Sequence, residues 1–267
     1  MMSNSGFKAD RSEPIILAID TSSSEARLAV SISESVIAAL TVKSDRPHSQ
    51  TLFSQISALL QLAGVRVEEV GAFAACVGPG SFTGLRVGLA AAKGLADSLN
   101  RPCLGVDSLD LYALASGVDG AHLVMLCAGR GEVYCGFRDV ASRDIIDRPV
   151  SDKVGEPSYV LRAMTESLRR SPLIVIGDGA YKYKEEVSDL IGQLRSVPSV
   201  SPGPSAPAAP AAPAYGTIET IFLKPGLNIP SVLAQRAASL MKENRAAPAA
   251  PHYIRQSDAE IGWERRQ

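Results

Sequence analysis

Apolar positions recur along this chain in two rhythms, one of period two and one near 3.6, and the switches between them outline the fold. Residues 14 to 20 (PIILAID), 26 to 32 (ARLAVSI) and 36 to 42 (VIAALTV) read as three strands joined by short polar turns. Over residues 48 to 64 the period lengthens. Leu52, Ile56, Leu59, Leu60 and Ala63 fall on one face, which predicts an amphipathic helix with Gly64 as its C-cap. Residues 72 to 77 (AFAACV) return to a short buried strand. The turn Gly78-Pro79-Gly80 follows, with Ser81 or Thr83 placed to cap a long helix that runs to Leu99. Arg101-Pro102 stops that helix, residues 103 to 106 form another strand, and residues 108 to 116 a compact helix. The order β-β-β-α-β-α-β-α makes residues 14 to 117 a complete small α/β domain.

A second unit begins with strands at 123 to 127 and 133 to 137 around a Gly129-Arg130-Gly131-Glu132 turn, and a third strand at 145 to 150. Residues 158 to 169 are helical by pattern, 173 to 176 (LIVI) a strand, Gly177-Asp178-Gly179 a turn, and 183 to 190 a helix. Residues 197 to 213 (VPSVSPGPSAPAAPAAP) are Pro/Ala/Ser-rich and are expected to be extended and flexible. A last helix spans 231 to 243, and 251 to 255 (PHYIR) could add a strand. The second subdomain is therefore expected to comprise 118 to 196 plus 214 to 256. A disordered extension at 1 to 13 and a solvated tail at 257 to 267 flank the whole.

The helix from 83 to 99 departs from a simple surface helix. Gly84, Gly88, Ala92 and Ala96 recur every fourth residue, with Leu85, Leu89, Leu95 and Leu99 beside them and only Arg86, Lys93 and Asp97 charged. Glycine costs a helix roughly 1 kcal/mol against alanine, so Gly84, Gly88 and Gly94 call for a packing reason. Two remain open: internal core of one domain, or a close seam with a helix of another chain.

Composition narrows the chemistry. A formal net charge of -1 gives no basic footprint for nucleic acid. No apolar leader core and no apolar run of membrane length occurs, so a cytoplasmic protein without a membrane role is expected. The four cysteines (76, 103, 127 and 135) show no CxxC spacing and read as core thiols of a reducing compartment. His48, His122 and His252 form no HxxxH or HExxH pair, so no metal site is expected. Asp20, followed by Thr21, Ser22, Ser23 and Ser24, is either a simple hydroxyl-stabilised turn or a phosphate-facing loop. Asp20, Thr21 and Ser22 with Gly78, Gly80 and Ser81, and more remotely Gly177 and Gly179, are the candidates for holding a nucleotide or anion.

ILAIDTSSSEARLAVSI, HSQTLFSQISALL, GPGSFTGLRVGLAAAKGLA and PCLGVDSLDLYALAS together closely resemble the TsaB (YeaZ) family, with weaker echoes in GRGEVY, IGDGAYKY and PHYIR. The resemblance implies a duplicated actin-like ATPase (ASKHA, ribonuclease-H-like) fold with a reduced second half. It implies a non-catalytic scaffold subunit in forming N6-threonylcarbamoyladenosine at position 37 of ANN-decoding tRNAs. The implied partners are a TsaD-like transferase and a TsaE-like ATPase, with tRNA engaged only through the complex. Homodimerisation through the same helices is a further expectation, as is ATP or ADP at the partner interface, this chain alone requiring no cofactor. The implied interface comprises Leu52, Ile56 and Leu59 with Thr83, Gly84, Leu85, Gly88, Leu89, Ala92, Leu95 and Ala96. TsaD-like enzymes carry an HxxxH metal pair where this chain has Ser108 and Tyr112, and neither is a usual replacement for imidazole. Cys127 and Gly129 also depart from the DARRGEVY-like turn, which weakens a reading as a stand-alone actin-fold kinase or ATPase. A peptidase lacks both a metal pair and a recognisable triad.

Overall fold

The computed structural model describes residues 13–168, 172–196, 220–223, 228–245, 247–252 and 254. The extension at 1–12, the Pro/Ala-rich stretch at 197–213 and the tail at 257–267 lie outside the described residues. Two units emerge, residues 1–111 with 228–253, and 112–227 with 254–267.

The first unit is built on β1 (Ile15–Asp20), β2 (Glu25–Ile32), β3 (Ser35–Lys43), α1 (His48–Ala63), β4 (Val70–Gly78), α2 (Phe82–Leu99) and β5 (Cys103–Asp107). The sheet order is β3-β2-β1-β4-β5. β1–β2 and β2–β3 are antiparallel, whereas β1–β4 and β4–β5 are parallel. The two parallel pairs follow from the helical crossovers α1 and α2. Leu17, Ile19, Leu28 and Val30 face those helices and pack with Leu52, Leu59, Ala92 and Ala96. Gly64 ends α1 in the left-handed conformation at φ 64, as a C-cap glycine should.

A unit boundary falls within α3 (Ser108–Ala115). Next come β6 (Gly120–Gly129), β7 (Glu132–Ala141), β8 (Asp144–Asp147), β9 (Lys153–Gly155), α4 (Pro157–Arg162), α5 (Thr165–Leu168), β10 (Leu173–Ile176), α6 (Asp178–Lys182), α7 (Lys184–Ser196) and β11 (Thr220–Leu223). This sheet runs β11-β10-β6-β7-β8, with β9 also on β7. β6–β7 and β7–β8 are antiparallel, while β6–β10 and β10–β11 are parallel. With β6, β7, β8, β10 and β11 standing for β1, β2, β3, β4 and β5, the topology repeats, as the duplicated actin-like fold requires. The second copy is the reduced one. The 16-residue α1 corresponds to the two short pieces α4 and α5, where the sequence pattern predicts one helix over 158–169.

α8 (Ile229–Lys242) corrects the expected division of the chain. Residues 214 to 256 are expected in the second subdomain, yet α8 packs against β1, β2, β3, β4 and β5. Its Leu233, Ala234 and Ala237 are fully buried, as are Ile16 and Ala18 of β1. Side chains alternate across a strand, so Ile16 and Ala18 present the face of β1 opposite Leu17 and Ile19, and that face needs a cover. The short run at 251–255 forms no strand among the described residues. Residues 247–252 instead run along the end of the first sheet, with Pro248 bridging Leu104 and the His252 N–H donating to the Val77 carbonyl at 2.7 Å.

Candidate functional site

The β1–β2 turn and the β4–α2 turn meet in the first unit, and they bring together six of the eight nucleotide candidates. Their polar groups are engaged with one another. Asp20, buried, accepts the Ser22 N–H at 2.8 Å and pairs with the Arg27 guanidinium at 3.3 Å. The Thr21 hydroxyl donates to the Gly84 carbonyl at 2.7 Å, and the Ser81 N–H donates to the Ser22 carbonyl at 2.7 Å. Ser81 also caps α2, its Oγ accepting from the Gly84 N–H at 3.2 Å. The N–H groups of Ser22, Ser81 and Gly84 therefore bond within the protein itself. Gly80 lies so close to Ser22 that a Cβ would meet its carbonyl oxygen at 2.5 Å. Gly78 has φ 107 and lies against the His252 carbonyl. This is a tightly closed turn-on-turn contact.

Gly177 and Gly179, in the second unit, have a comparable cause. A Cβ on either would run into the Met125 carbonyl of β6. Asp178 between them accepts the N–H groups of Cys127 at 3.0 Å and Gly179 at 2.9 Å. The predicted turn is in fact the first turn of α6, pinned to the sheet.

Ser108, one of the two positions set against the expected HxxxH pair, opens α3. It is buried, and its Oγ lies 2.8 Å from Cys76 Sγ. Burial, then the Asp20 charge, pushes the Cys76 thiol up, so the pair is a neutral contact of the core. Burial also raises Cys103 and Cys127 to about 11, far from thiolate at neutral pH. All four cysteines are free. His48 Nε2 is 2.9 Å from the Ser23 carbonyl and supports the β1–β2 turn.

The predicted interface needs a larger correction. Leu52, Ile56, Leu59, Gly84, Leu85, Gly88, Leu89, Ala92 and Ala96 are all buried within the first unit. The small-residue stripe faces inward. A Cβ on Gly84 would meet the Thr21 carbonyl, and one on Gly88 the Thr21 hydroxyl. Of the eleven residues only Thr83 is exposed and Leu95 partly so. The helices nevertheless present an outer surface with apolar content. On α1, Phe53 is 61% exposed and Leu62 75%, with Ala58 exposed between them. On α2, Thr83, Ala90 and Gly94 are exposed, and nothing lies within 4 Å of a Cβ on Gly94. The Arg86 guanidinium carbon lies over the Phe82 ring, 3.8 Å from its centroid. Phe53, Leu62 and Ala90 lie off the dominant apolar face, so periodicity does not single them out. The signal was Gly94 itself, a helix glycine outside the Gly84–Gly88–Ala92 register.

The family model described as TsaD: tRNA N6-adenosine threonylcarbamoyltransferase matches residues 32–263. The tRNA threonylcarbamoyladenosine biosynthesis protein TsaB of Bacillus subtilis is 30% identical over 181 residues, 66% of this chain and 76% of that protein. Its counterpart in Escherichia coli is 35% identical over 124 residues, covering 45% and 52%. The tRNA N6-adenosine threonylcarbamoyltransferase of Porphyromonas gingivalis is 32% identical over 121 residues, 42% of this chain and only 36% of that enzyme. In structure, YeaZ from Pseudomonas aeruginosa superposes with a TM-score of 0.64 at 23% identity, over 90% of this chain and 99% of that one. The family model over most of the chain, the Bacillus relative over three quarters of its length and the shared fold agree: this chain belongs to the TsaB (YeaZ) family, within the wider group that the TsaD model describes.

Proposed function

We propose that this chain is the accessory, non-catalytic subunit of the complex that forms N6-threonylcarbamoyladenosine at position 37 of ANN-decoding tRNAs. It docks on a TsaD-like transferase through the outer surface of α1 and α2, and a TsaE-like ATPase joins them. The observation that carries this reading is the exposure of Phe53 and Leu62 on α1, a helix in contact with α2, whose Ala90 and Gly94 are also exposed. Two apolar side chains at that exposure gain most from a partner that removes them from water, and Ala90 and Gly94 let a facing helix approach closely.

The chemistry of the chain supports an accessory role. Ser108 and Tyr112 stand where a transferase would hold its metal, and Ser108 is bonded to a buried thiol. The anion candidates of the first unit bond to one another. A nucleotide, where one takes part, binds against the partner, and the tRNA is engaged by the assembled complex in the cytoplasm. Among the described residues no helix is long and apolar enough to cross a membrane.

Nucleoside mass spectrometry of bulk tRNA after depletion of this protein tests the proposal. Threonylcarbamoyladenosine falls severalfold and returns on re-expression; unchanged modification refutes the role.

A further inference from the structure

Three successive residues of the β1–β2 turn hold the starts of two helices. The Thr21 hydroxyl donates to the Gly84 carbonyl of α2, and the Ser22 carbonyl accepts the N–H of Ser81, the α2 cap. The Ser23 carbonyl lies 2.9 Å from Nε2 of His48, the first residue of α1. A carbonyl only accepts, so Nε2 carries the hydrogen and donates it. The turn is also braced from within. Asp20 accepts the Ser22 N–H at 2.8 Å, and the Ser23 hydroxyl accepts the Glu25 N–H at 3.2 Å. The Arg27 guanidinium spans Asp20 at 3.3 Å and Glu25 at 3.0 Å.

The two helix starts lean on this turn unequally. α2 has the Ser81 side chain as its cap and two glycines pressed onto Thr21. α1 begins after Pro47 with no side-chain cap and no acid in its first turn. Across residues 45 to 50 only His48 is partly withdrawn from solvent, and the first buried side chain of the helix is Leu52. The bond from His48 to Ser23 therefore ties the start of α1 to the body of the unit. Phe53 stands about 7.5 Å further along the same axis, so a start that swings carries Phe53 with it.

We propose that the β1–β2 turn is the spacer that fixes α1 against α2 for docking, with His48 as the positioning residue on α1. The inference rests on the reading that a transferase docks on the outer surface of these helices. A partner that meets both helices at once binds best when their relation is already set, because otherwise part of the binding free energy is spent on ordering them. His48 acts through the Ser23 carbonyl, not by touching the partner.

Calorimetry of the full-length chain against a TsaD-like transferase, together with hydrogen exchange of the free chain, tests this. His48→Gln keeps a donor at nearly the same reach, its amide nitrogen standing in for imidazole Nε2, whereas His48→Ala removes the donor. His48→Ala is expected to weaken association roughly threefold or more, and His48→Gln to stay within about twofold of the wild type. In the free chain, His48→Ala should speed exchange at residues 51 to 54 and leave β1 and β4 unchanged, which a general loss of stability would not do. Equal weakening by both variants, or unchanged exchange at the start of α1, overturns the inference. So does full affinity of His48→Ala beside a Leu62→Asp that binds poorly, an outcome that leaves the docking surface in place. Unchanged affinity for His48→Ala, Leu62→Asp and Phe53→Ser alike removes the docking surface, and the inference falls with it.

Discussion

The Thr21 hydroxyl donates to the carbonyl oxygen of Gly84 across 63 positions of sequence, and this bond fixes the first turn of α2 onto the end of β1. It leaves no room for side chains on the facing helix. Replacing Gly88 by leucine, or Gly84 by valine, drives carbon into Thr21 and is expected to destabilise the protein by at least ~1–3 kcal/mol. Urea denaturation of the isolated chain reads this directly. A variant that keeps the wild-type midpoint and fails only in assembly would return the stripe to the interface.

The same residues show what the sequence could and could not disclose. The strands from β1 to β5 and the order of α1 and α2 are legible because each buries one face against one layer, so periodicity reports it. The stripe of Gly84, Gly88, Ala92 and Ala96 is legible as a place of close approach. Its partner is not, because a glycine records that something lies near without recording what; here it is the backbone of Thr21, far off in sequence. α8 was assigned to the wrong unit for a related reason. Its apolar pattern says that it covers a sheet, and chain order suggested the nearer one. β9 and β11, three and four residues long, are too short for any period to register. The phosphate-loop candidates have two readings in sequence, because a strand–turn–strand with hydroxyl residues looks alike in both; the hydrogen bonds that tie the two turns together are not legible there.

The outer surface of α1 and α2 can be tested apart from stability. Leu62→Asp and Phe53→Ser replace exposed side chains, so the free chain should keep its unfolding free energy within about 0.5 kcal/mol. Association with a TsaD-like transferase, followed by calorimetry, is expected to weaken at least tenfold for Leu62→Asp, about 1.4 kcal/mol. Unchanged affinity for both variants would remove this surface from the interface.

In the second unit, Arg138 is fully buried and its guanidinium grips Asp152 in a two-point pair at 2.7 and 2.9 Å, while Nη1 also donates to the Phe137 carbonyl at 3.0 Å. Asp152→Ala leaves the cation in the core without its carboxylate and should cost ~3–5 kcal/mol. Replacing Arg138 and Asp152 together by apolar residues of similar size should recover most of that loss. If the single and double variants unfold alike, the pair is not the source of the penalty.

His122 gives the second unit a pH dependence of definite sign. The ring is fully buried; its Nδ1 lies 2.9 Å from the Gly120 carbonyl and must carry the proton, so Nε2 accepts from the Ser116 hydroxyl at 2.7 Å. Burial lowers its pKa below the ordinary 6.5, with Gly120, Asp139 and Asp119 opposing the shift. The unfolded chain therefore takes up a proton that the folded chain refuses. The contribution to stability is whole above about pH 6.5 and is lost as pH falls through the folded value. His122→Gln, which cannot titrate, should show a shallower decline in stability between pH 7 and 5 than the wild type. Equal slopes would mean that His122 takes up its proton alike in the folded and unfolded chain.

The return of α8 to the first unit makes the most demanding prediction, because it concerns a helix that follows every strand it covers by a long stretch of sequence. Leu233 is fully buried in a helix that contacts every strand of the first sheet. Leu233→Ala removes three carbons from that contact and is expected to cost ~2–5 kcal/mol, the upper end applying if the helix cannot settle into the gap. The location of the loss matters more than its size. Hydrogen exchange should accelerate in β1, β2 and β3, whose Ile16, Ala18 and Ala29 lose part of their cover, before it does in β6 and β7. A fragment ending at residue 117 holds all five strands of the first sheet and lacks that cover, so it should be unfolded or aggregated. Acceleration confined to the second unit, or a cooperatively folded 1–117 fragment, would put α8 back where chain order had it.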